Sequence, residues 1–304
     1  MPTASLTSRL RLALSLLGDA VRMLRRVPTM RERARLMGLA GRAFLRIASR
    51  QPGIVGRLFP SPKLRSYELR PEAGVPALRL RSDDLVCVEV YGGRPYELDY
   101  SPIEPVSTIL DLGANVGAAA AFLSLRFPEA ALLAVEPNPA TYEVLCENLR
   151  RAVPRGRALR AAVVPRDGSY RIEPGRTPSG GQVVATDGGG DDPAAEFETL
   201  TIGELLDREM PGGVDLMKVD IEGGEADLFA AAADWGRGSG RWSPRYTRRS
   251  VPSAPTSFWR PATSSRCRCP RAAPGSRSSS RSAARRPARA APASSLAWFA
   301  RRRA

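Results

Sequence analysis

The stretch "ILDLGANVG", from Ile109 to Gly117, decides the fold class of this chain. A short apolar run reaches Asp111 and then passes into a turn that contains two glycines, Gly113 and Gly117. The alanine-rich segment "AAAAFLSLRF" and a second apolar run, "ALLAV", follow along the chain. A strand, a glycine-containing turn, a helix and another strand in this order predict a βαβ unit of a parallel sheet.

The same alternation continues as far as the segment "EGGEADLF". A helix with Asn138 at its cap position precedes a third apolar run at residues 158–164, and Thr201 and Glu204 have the spacing of a capping box. "VDLMKVDI" is the candidate fourth strand, and residues 165–198 are rich in loop-forming residues. We therefore predict an α/β fold in which helices cover both faces of a mostly parallel sheet.

Two regions of different character precede this sheet. Residues 1–60 are predicted to be helical, because Leu10, Leu14 and Val21 recur at helical spacing. These helices are expected to pack on the domain, and the alternative is a basic surface helix that contacts anionic lipid. Residues 61–106 contain four alternating runs, "LRSYELR", "ALRLRS", "LVCVEVYG" and "PYELDY", which predict a small β lead-in.

Acidic residues close two neighbouring strands of the predicted sheet, where ligands of such sheets bind. Asp111 closes the first strand and Glu136 the second. A carboxylate at the second strand end can accept hydrogen bonds from a ribose diol, so the glycine turn and Glu136 together predict an adenosine-containing cofactor. A purely structural turn is the alternative. The glycine spacing lacks the third glycine of the dinucleotide pattern, which disfavours a nicotinamide-dependent oxidoreductase.

The fourth strand ends in a cluster of charged residues. Strand alternation places Lys218, Asp220 and Glu222 on one face, where they form either a polar wall facing a substrate or a surface salt-bridge cluster. Because the chain has no histidine, histidine-based catalysis and histidine metal ligands are excluded. The four cysteines have no metal-site or disulfide spacing, so we predict no metal and a cytoplasmic location. We expect no transmembrane segment.

Four elements, "ILDLGANVG", "AVEPNPATYEVLCENL", "RAAVV" and "DLMKVDIEGGEADLF", resemble the FkbM-type methyltransferases in order and spacing. The resemblance implies a Rossmann-like class I methyltransferase fold at residues 107–235. It also implies S-adenosylmethionine as cofactor and a hydroxyl of a small molecule or sugar as methyl acceptor. By resemblance, the cofactor is bound by Asp111, Gly113, Asn115, Gly117, Glu136 and Asn138. Lys218, Asp220 and Glu222 lie beside the acceptor, with Asp220 as the candidate base and Lys218 tuning its charge.

The net charge of +15 belongs to the end of the chain. Residues 237–304 contain 17 arginines and no lysine, aspartate or glutamate, whereas the preceding residues are nearly balanced in charge. Few large apolar residues occur there, so we predict that residues 236–304 are disordered. If the reading frame is shifted in this region, we expect the sheet to end with its fourth strand, which would then have an exposed edge.

Three explanations of this tail remain open: a basic arm that binds nucleic acid, a disordered linker, or a shifted reading frame. The residues from Gly240 to Thr247 favour the third, because codons read from each third base can spell "LVAEVH". Members of the resembled family have a strand with an acidic residue and a histidine at this place. A shifted frame would leave methyl-transfer activity in doubt. Sequencing the gene is the test, and an intact frame would rule the shift out.

Overall fold

The computed structural model describes residues 6–48, 66–81, 85–93, 95–101, 103–174, 181–186, 197–221, 225–230, 245–246 and 297–300. All of them belong to one compact unit, and a second unit at residues 250–293 lies outside the described residues. The helices are α1 Leu6–Leu24, α2 Met30–Ala48, α3 Ala118–Arg126, α4 Pro139–Ala152, α5 Ile202–Glu209 and α6 Glu225–Ala230. The strands are β1 Ser66–Leu69, β2 Leu78–Arg81, β3 Thr108–Leu112, β4 Ala131–Val135, β5 Gly156–Leu159, β6 Ala161–Val164, β7 Tyr170–Pro174, β8 Gly181–Ala185, β9 Glu198–Thr201, β10 Leu216–Val219, β11 Arg245–Tyr246 and β12 Ala297–Ala300.

Six strands form the central sheet in the order β11-β12-β10-β3-β4-β5. The neighbours from β10 to β5 are all parallel, as the alternation of strands and helices predicts. Successive residues of these strands enter two different clusters of buried side chains: Ile109 and Leu132 belong to one, and Leu110 and Leu133 to the other. The predicted α/β fold with both faces of the sheet covered is therefore confirmed.

The helix caps lie where the sequence predicts them. The Asn138 side chain accepts hydrogen bonds from the backbone N–H groups of Ala140 and Thr141, at 3.1 and 3.3 Å. Thr201 and Glu204 form the predicted reciprocal capping box at the start of α5. Both caps provide partners for backbone amides that have none within the first turn of a helix.

The β lead-in is shorter than predicted. Only β1 and β2 form within the described residues of that region, as an antiparallel pair, whereas "PYELDY" is not a strand and "LVCVEVYG" contains the π-helical segment Val88–Gly93. Val88, Val90, Tyr91 and Gly92 are all buried, and a short apolar run of this kind does not distinguish a buried helical turn from a strand. A Cβ atom on Gly92 would lie 2.2 Å from the Asp19 carbonyl oxygen, so this glycine allows close contact with α1.

The third predicted strand is divided in two. Residues 156–159 pair with β4 in the central sheet, whereas residues 161–164 pair in parallel with β9 in a separate two-stranded sheet. Residues 165–198 are also not only loop, because β7 and β8 form an antiparallel hairpin within them. The predicted strand "ALRAAVV" is divided at Arg160, the polar residue that interrupts its apolar run, and its periodicity does not reveal that the two halves have different partner strands.

The sheet continues past its fourth strand, so the truncated sheet that was expected from a shifted reading frame is not what the structure shows. β12 pairs antiparallel with β10 along its whole length, and β11 pairs with β12, so the edge of β10 is covered. β12 forms in "LAWFA", the most apolar stretch after residue 237. The average composition of the whole tail conceals this short apolar stretch. The rest of the predicted disordered tail lies outside the described residues.

The β lead-in is joined to the sheet domain by a buried asparagine in α4. The Asn148 side chain accepts from the Arg79 N–H at 2.7 Å and donates to the carbonyl oxygens of Arg79 and Val116, at 2.8 and 2.7 Å. We expect Asn148→Ala to lower the free energy of unfolding by about 2 kcal/mol, because three backbone groups lose their partner. Chemical denaturation measures this effect. Glu147→Ala, which removes ion pairs to Arg79 and Arg151, should cost about 1 kcal/mol, less than the Asn148 variant, and equal losses would contradict the interpretation.

Candidate functional site

A buried ion pair joins the ends of β3 and β10. The parallel register sets Lys218 beside Asp111, and the Lys218 Nζ atom donates to Asp111 Oδ1 at 2.7 Å. The same ammonium group donates to the carbonyl oxygens of Gly113, at 2.9 Å, and Leu112, at 3.4 Å. Lys218 is 2% exposed and Asp111 fully buried. The lysine therefore fixes the strand end and the first residue of the glycine turn together.

The glycine turn contacts the end of β10 directly. Gly113 has a φ of 69°, and a Cβ atom there would lie 1.8 Å from the carbonyl oxygen of Asp220. The Asp220 N–H donates to the Leu112 carbonyl oxygen at 3.1 Å. Asp111, Gly113, Lys218 and Asp220 are thus brought together, as expected for neighbouring strands that end at the same edge.

Glu136 connects the glycine turn to the start of α4. Its Oε2 atom accepts from the Asn115 N–H and its Oε1 atom from the Asn138 N–H, each at 3.0 Å. Burial raises the pKa of Glu136 to about 7, although these two hydrogen bonds and Lys218 act in the opposite direction. Each carboxylate oxygen has two lone pairs, so the two backbone contacts leave capacity for two more hydrogen bonds.

Three other predicted residues have structural roles that are visible without a ligand. Asn115 adopts a φ of 51°, a left-handed conformation that asparagine tolerates, and its side-chain oxygen accepts from the Val116 N–H at 2.7 Å. The Asn138 side chain caps α4. Gly117, with a φ of 84°, leaves space for Leu145, whose Cδ1 atom would lie 2.9 Å from a Cβ atom there. Whether these residues also contact a cofactor stays a prediction.

Carboxyl groups outnumber cationic groups among the described residues at this edge. Burial alone lowers the pKa of Lys218, but the charges of Asp111, Asp220 and Glu136 raise it above its usual value. Burial raises the pKa of both Asp111 and Asp220, and Lys218 opposes each rise. Among the described residues, one lysine thus faces three carboxyl groups, and the buried Asp111 Oδ2 atom has no hydrogen-bond partner. Glu222 lies outside the described residues.

A known protein family matches the part of the chain that contains this edge. Residues 111–247 match the family model described as the methyltransferase FkbM domain. The chain carries an FkbM methyltransferase domain. The match continues beyond the predicted domain end at residue 235 and includes the residues on which the frameshift hypothesis depends, so gene sequencing stays the test of that hypothesis.

Two relatives of the FkbM domain protein carry methyltransferase names. Methyltransferase sdnD of Sordaria araneosa is 25% identical over 171 residues, which are 46% of this chain and 65% of the relative. Hexuronic acid methyltransferase AglP of Haloferax volcanii is 29% identical over 127 residues, which are 41% of this chain and 50% of the relative. The match therefore spans less than two thirds of the length of either relative.

Two solved structures are similar to the chain at low overall agreement. One is the S-adenosylmethionine-dependent methyltransferase SibL in its apo form, with a TM-score of 0.33, 14% identity, and coverage of 89% of this chain and 76% of that one. The other is the hMettl16 catalytic domain in complex with the MAT2A 3'UTR hairpin 6, with a TM-score of 0.29, 13% identity, and coverage of 51% and 63%.

Two residues near the FkbM-domain site were missed by the sequence analysis. Tyr96 lies in the segment "PYELDY"; burial, followed by the charges of Asp220 and Asp111, raises the pKa of its phenol well above the usual value. Glu225 is buried, and its Oε1 atom accepts from the Ile221 N–H at 3.0 Å. Glu225 could have been found from the sequence, because it is the second acidic residue of the motif "EGGE". Tyr96 could not, because no sequence pattern indicates that it lies near the ends of strands that come later in the chain.

Proposed function

We propose that the protein transfers a methyl group from S-adenosylmethionine to a hydroxyl group of a small molecule or sugar. The observation that carries the proposal is the excess of carboxyl groups over cations at the strand ends. S-Adenosylmethionine bears a sulfonium, an ammonium and a carboxylate group and so has a net positive charge. It supplies this charge where, among the described residues, Lys218 is the one cation that faces Asp111, Glu136 and Asp220. A nicotinamide dinucleotide would instead bring a negatively charged pyrophosphate to the same edge.

The residues present fit this cofactor. Asp111 Oδ2, buried without a partner, can accept a hydrogen bond from the ammonium group. Glu136 retains capacity for two hydrogen bonds from a ribose diol. Gly113 has no side chain to obstruct the backbone of the turn. When bound, the cofactor supplies an electrophilic methyl group on its sulfonium sulfur.

Asp220 is the proposed base on the acceptor side. Burial raises its pKa, which brings the carboxylate closer to the range in which it can take up a proton from a hydroxyl group. The charge of Lys218 opposes that rise in the pKa of Asp220 and so favours the ionised carboxylate, the form that can accept the proton. Orienting the acceptor oxygen along the line of attack is the second task, because alignment supplies much of the rate of such transfers.

The acceptor class rests on the names of the relatives. AglP is named a hexuronic acid methyltransferase, which supports a sugar-type acceptor and transfer to oxygen for this chain as well. No helix among the described residues is long and apolar enough to cross a membrane.

Calorimetry with the full chain tests the proposed function. We expect heat of binding from S-adenosylmethionine and none from NAD, and the opposite result would favour an oxidoreductase. Binding of arbitrary duplex DNA that weakens steeply with salt would support the rival function of the arginine-rich tail.

The affinity for S-adenosylmethionine should rise with pH through neutrality. Glu136, with a pKa of about 7, is mostly protonated at pH 6 and mostly ionised at pH 8, and only the carboxylate accepts both ribose hydrogen bonds. We expect about a tenfold gain in affinity over this interval. Glu136→Gln, which does not titrate, should bind more weakly and without this dependence. A steep pH dependence that survives in the variant would remove Glu136 as its source.

The same group has the opposite effect on the stability of the ligand-free protein. A carboxyl group whose pKa is raised by folding stabilises the folded state fully below its unfolded pKa, and this contribution is lost as the pH rises through the folded value. Stability should therefore fall between about pH 4.5 and 7 because of Glu136. Measuring stability and cofactor affinity in the same buffers separates the two trends.

A further inference from the structure

The two N-terminal helices each expose a second apolar stripe. On α1, the residues Ala13, Leu16, Ala20 and Met23 are buried, yet Leu10, Leu14 and Val21 are 42%, 53% and 46% exposed. On α2, Leu36 and Leu39 are buried, whereas Met30, Met37 and Leu45 are 75%, 36% and 40% exposed. We call Leu10, Leu14, Val21, Met30, Met37 and Leu45 the outer stripes. Their exposure means that packing on the protein core does not explain them.

Unpaired arginines border these stripes. Residues 6–48 contain ten arginines but only two acidic residues, Asp19 and Glu32. Both acids have contacts within the protein: Asp19 pairs with Arg22, and Glu32 accepts from the Arg70 N–H at 3.1 Å. The helices therefore carry a large positive charge that the acids of their own sequence do not balance.

Three of these arginines stand beside the outer stripes. Arg11 precedes Leu14 by three residues, so these two side chains are neighbours on the surface of α1. Arg25 comes directly after the last residue of α1, four residues beyond Val21, and Arg31 follows Met30 directly. Arg11, Arg25 and Arg31 are exposed, and none has an ion-pair partner among the residues that the structure describes. Long guanidinium side chains next to an apolar stripe reach polar head groups while the stripe enters the acyl region.

We infer that α1 and α2 bind in the plane of an anionic lipid surface through the outer stripes and these arginines. Apolar side chains bordered by arginine, on helices too polar to span a bilayer, have the chemistry of interfacial helices. An anionic lipid surface offers an apolar region to the outer stripes and negative charge to the arginines of α1 and α2. A second copy of this chain would bring the same positive charge to the contact, which disfavours self-association through this face.

Co-sedimentation of the full chain with vesicles tests this inference. We expect binding to vesicles of phosphatidylcholine and phosphatidylglycerol and little binding to phosphatidylcholine alone. Replacing Leu10, Leu14 and Val21 by glutamine should weaken partitioning about tenfold. Arg11→Gln with Arg25→Gln should weaken it about 25-fold, since each arginine near such a surface contributes about fivefold.

The controls separate the helices from the arginine-rich end of the chain. Residues 237–304 are present in every variant, so their attraction to the vesicles contributes equally, and raised salt weakens it more than the apolar contact. Leu125→Gln removes an exposed leucine from α3 and should leave binding unchanged, as should Arg166→Gln.

Two results would overturn the inference. One is vesicle binding that neither helix variant alters, which would assign the binding to the tail. The other is absence of vesicle binding together with a dimer, seen by light scattering, that the Leu10, Leu14 and Val21 variant dissociates. That result would make the outer stripes an interface between copies. Circular dichroism of each variant confirms that the exposed substitutions leave the helices folded.

Discussion

Lys218→Met is expected to lower the free energy of unfolding by about 3–5 kcal/mol. The substitution keeps the volume of the side chain but leaves the fully buried Asp111 carboxylate without its counter-ion. It also removes the donor to the Gly113 and Leu112 carbonyl oxygens, so the glycine turn loses its attachment to β10. Removal of one partner from a buried pair is costly because the other charge stays in a medium of low dielectric constant.

A second substitution distinguishes this cause from poor packing. If the unpaired carboxylate is responsible, replacing Asp111 by leucine in the Lys218→Met background should recover much of the lost stability. The recovered protein should still fail to bind S-adenosylmethionine, since Asp111 is a proposed contact. Arg155→Met breaks an exposed ion pair with Glu129 and should cost less than about 1 kcal/mol.

The pH dependence of the stability of the Lys218→Met protein tests the electrostatic explanation independently. Without the ammonium group, the pKa of Asp111 should rise further, because Lys218 opposes the effect of burial on it. Protonation then relieves the buried charge, so the Lys218→Met protein should be closest to the parent in stability at low pH and fall behind as the pH rises. A deficit that is constant with pH would contradict the electrostatic explanation.

The parts of the fold that the sequence predicts well are those set by local rules. β3, β4 and the helix between them follow from apolar runs and a glycine turn, and the Asn138 cap and the Thr201 capping box follow from side chains that bond within one helical turn. The segment Leu85–Gly92 was mistaken for a strand because its burial against α1 is a tertiary effect. β12 was missed because its partner, β10, lies about 80 residues earlier in the chain.

The candidate site likewise contains residues that the sequence could place and contacts that it could not. Asp111 and Glu136 were predictable because parallel strands place their carboxyl ends at one edge. The contact of Lys218 with Asp111 depends on the register of β10 against β3, which alternation alone does not fix. The proximity of Gly113 to the Asp220 carbonyl was equally inaccessible, because it depends on two turns in three dimensions.

Gly113→Ala is expected to be as damaging as the loss of Lys218. At a φ of 69° an alanine costs about 1–2 kcal/mol in backbone strain. Its methyl group would also lie 1.8 Å from the Asp220 carbonyl oxygen, a distance that forces the ends of β3 and β10 apart. The hydrogen bonds from Asp220 N–H to Leu112 and from Lys218 to Gly113 would then break. We expect a total loss of about 3–5 kcal/mol and no detectable S-adenosylmethionine binding.

Two other glycines separate the contributions to that loss. Gly74 has a φ of 87° but a Cβ atom there would meet only Leu125, at 3.7 Å, so Gly74→Ala reports the backbone strain without the collision. Gly203 lies in α5 with nothing within 4 Å, and Gly203→Ala should be neutral or stabilising by up to about 1 kcal/mol. Thermal and chemical denaturation of the three variants should rank Gly113→Ala far below the others. If Gly113→Ala costs no more than Gly74→Ala, the ends of β3 and β10 can separate without loss of stability. The close contact between Gly113 and the Asp220 carbonyl oxygen would then not be what holds these strand ends together.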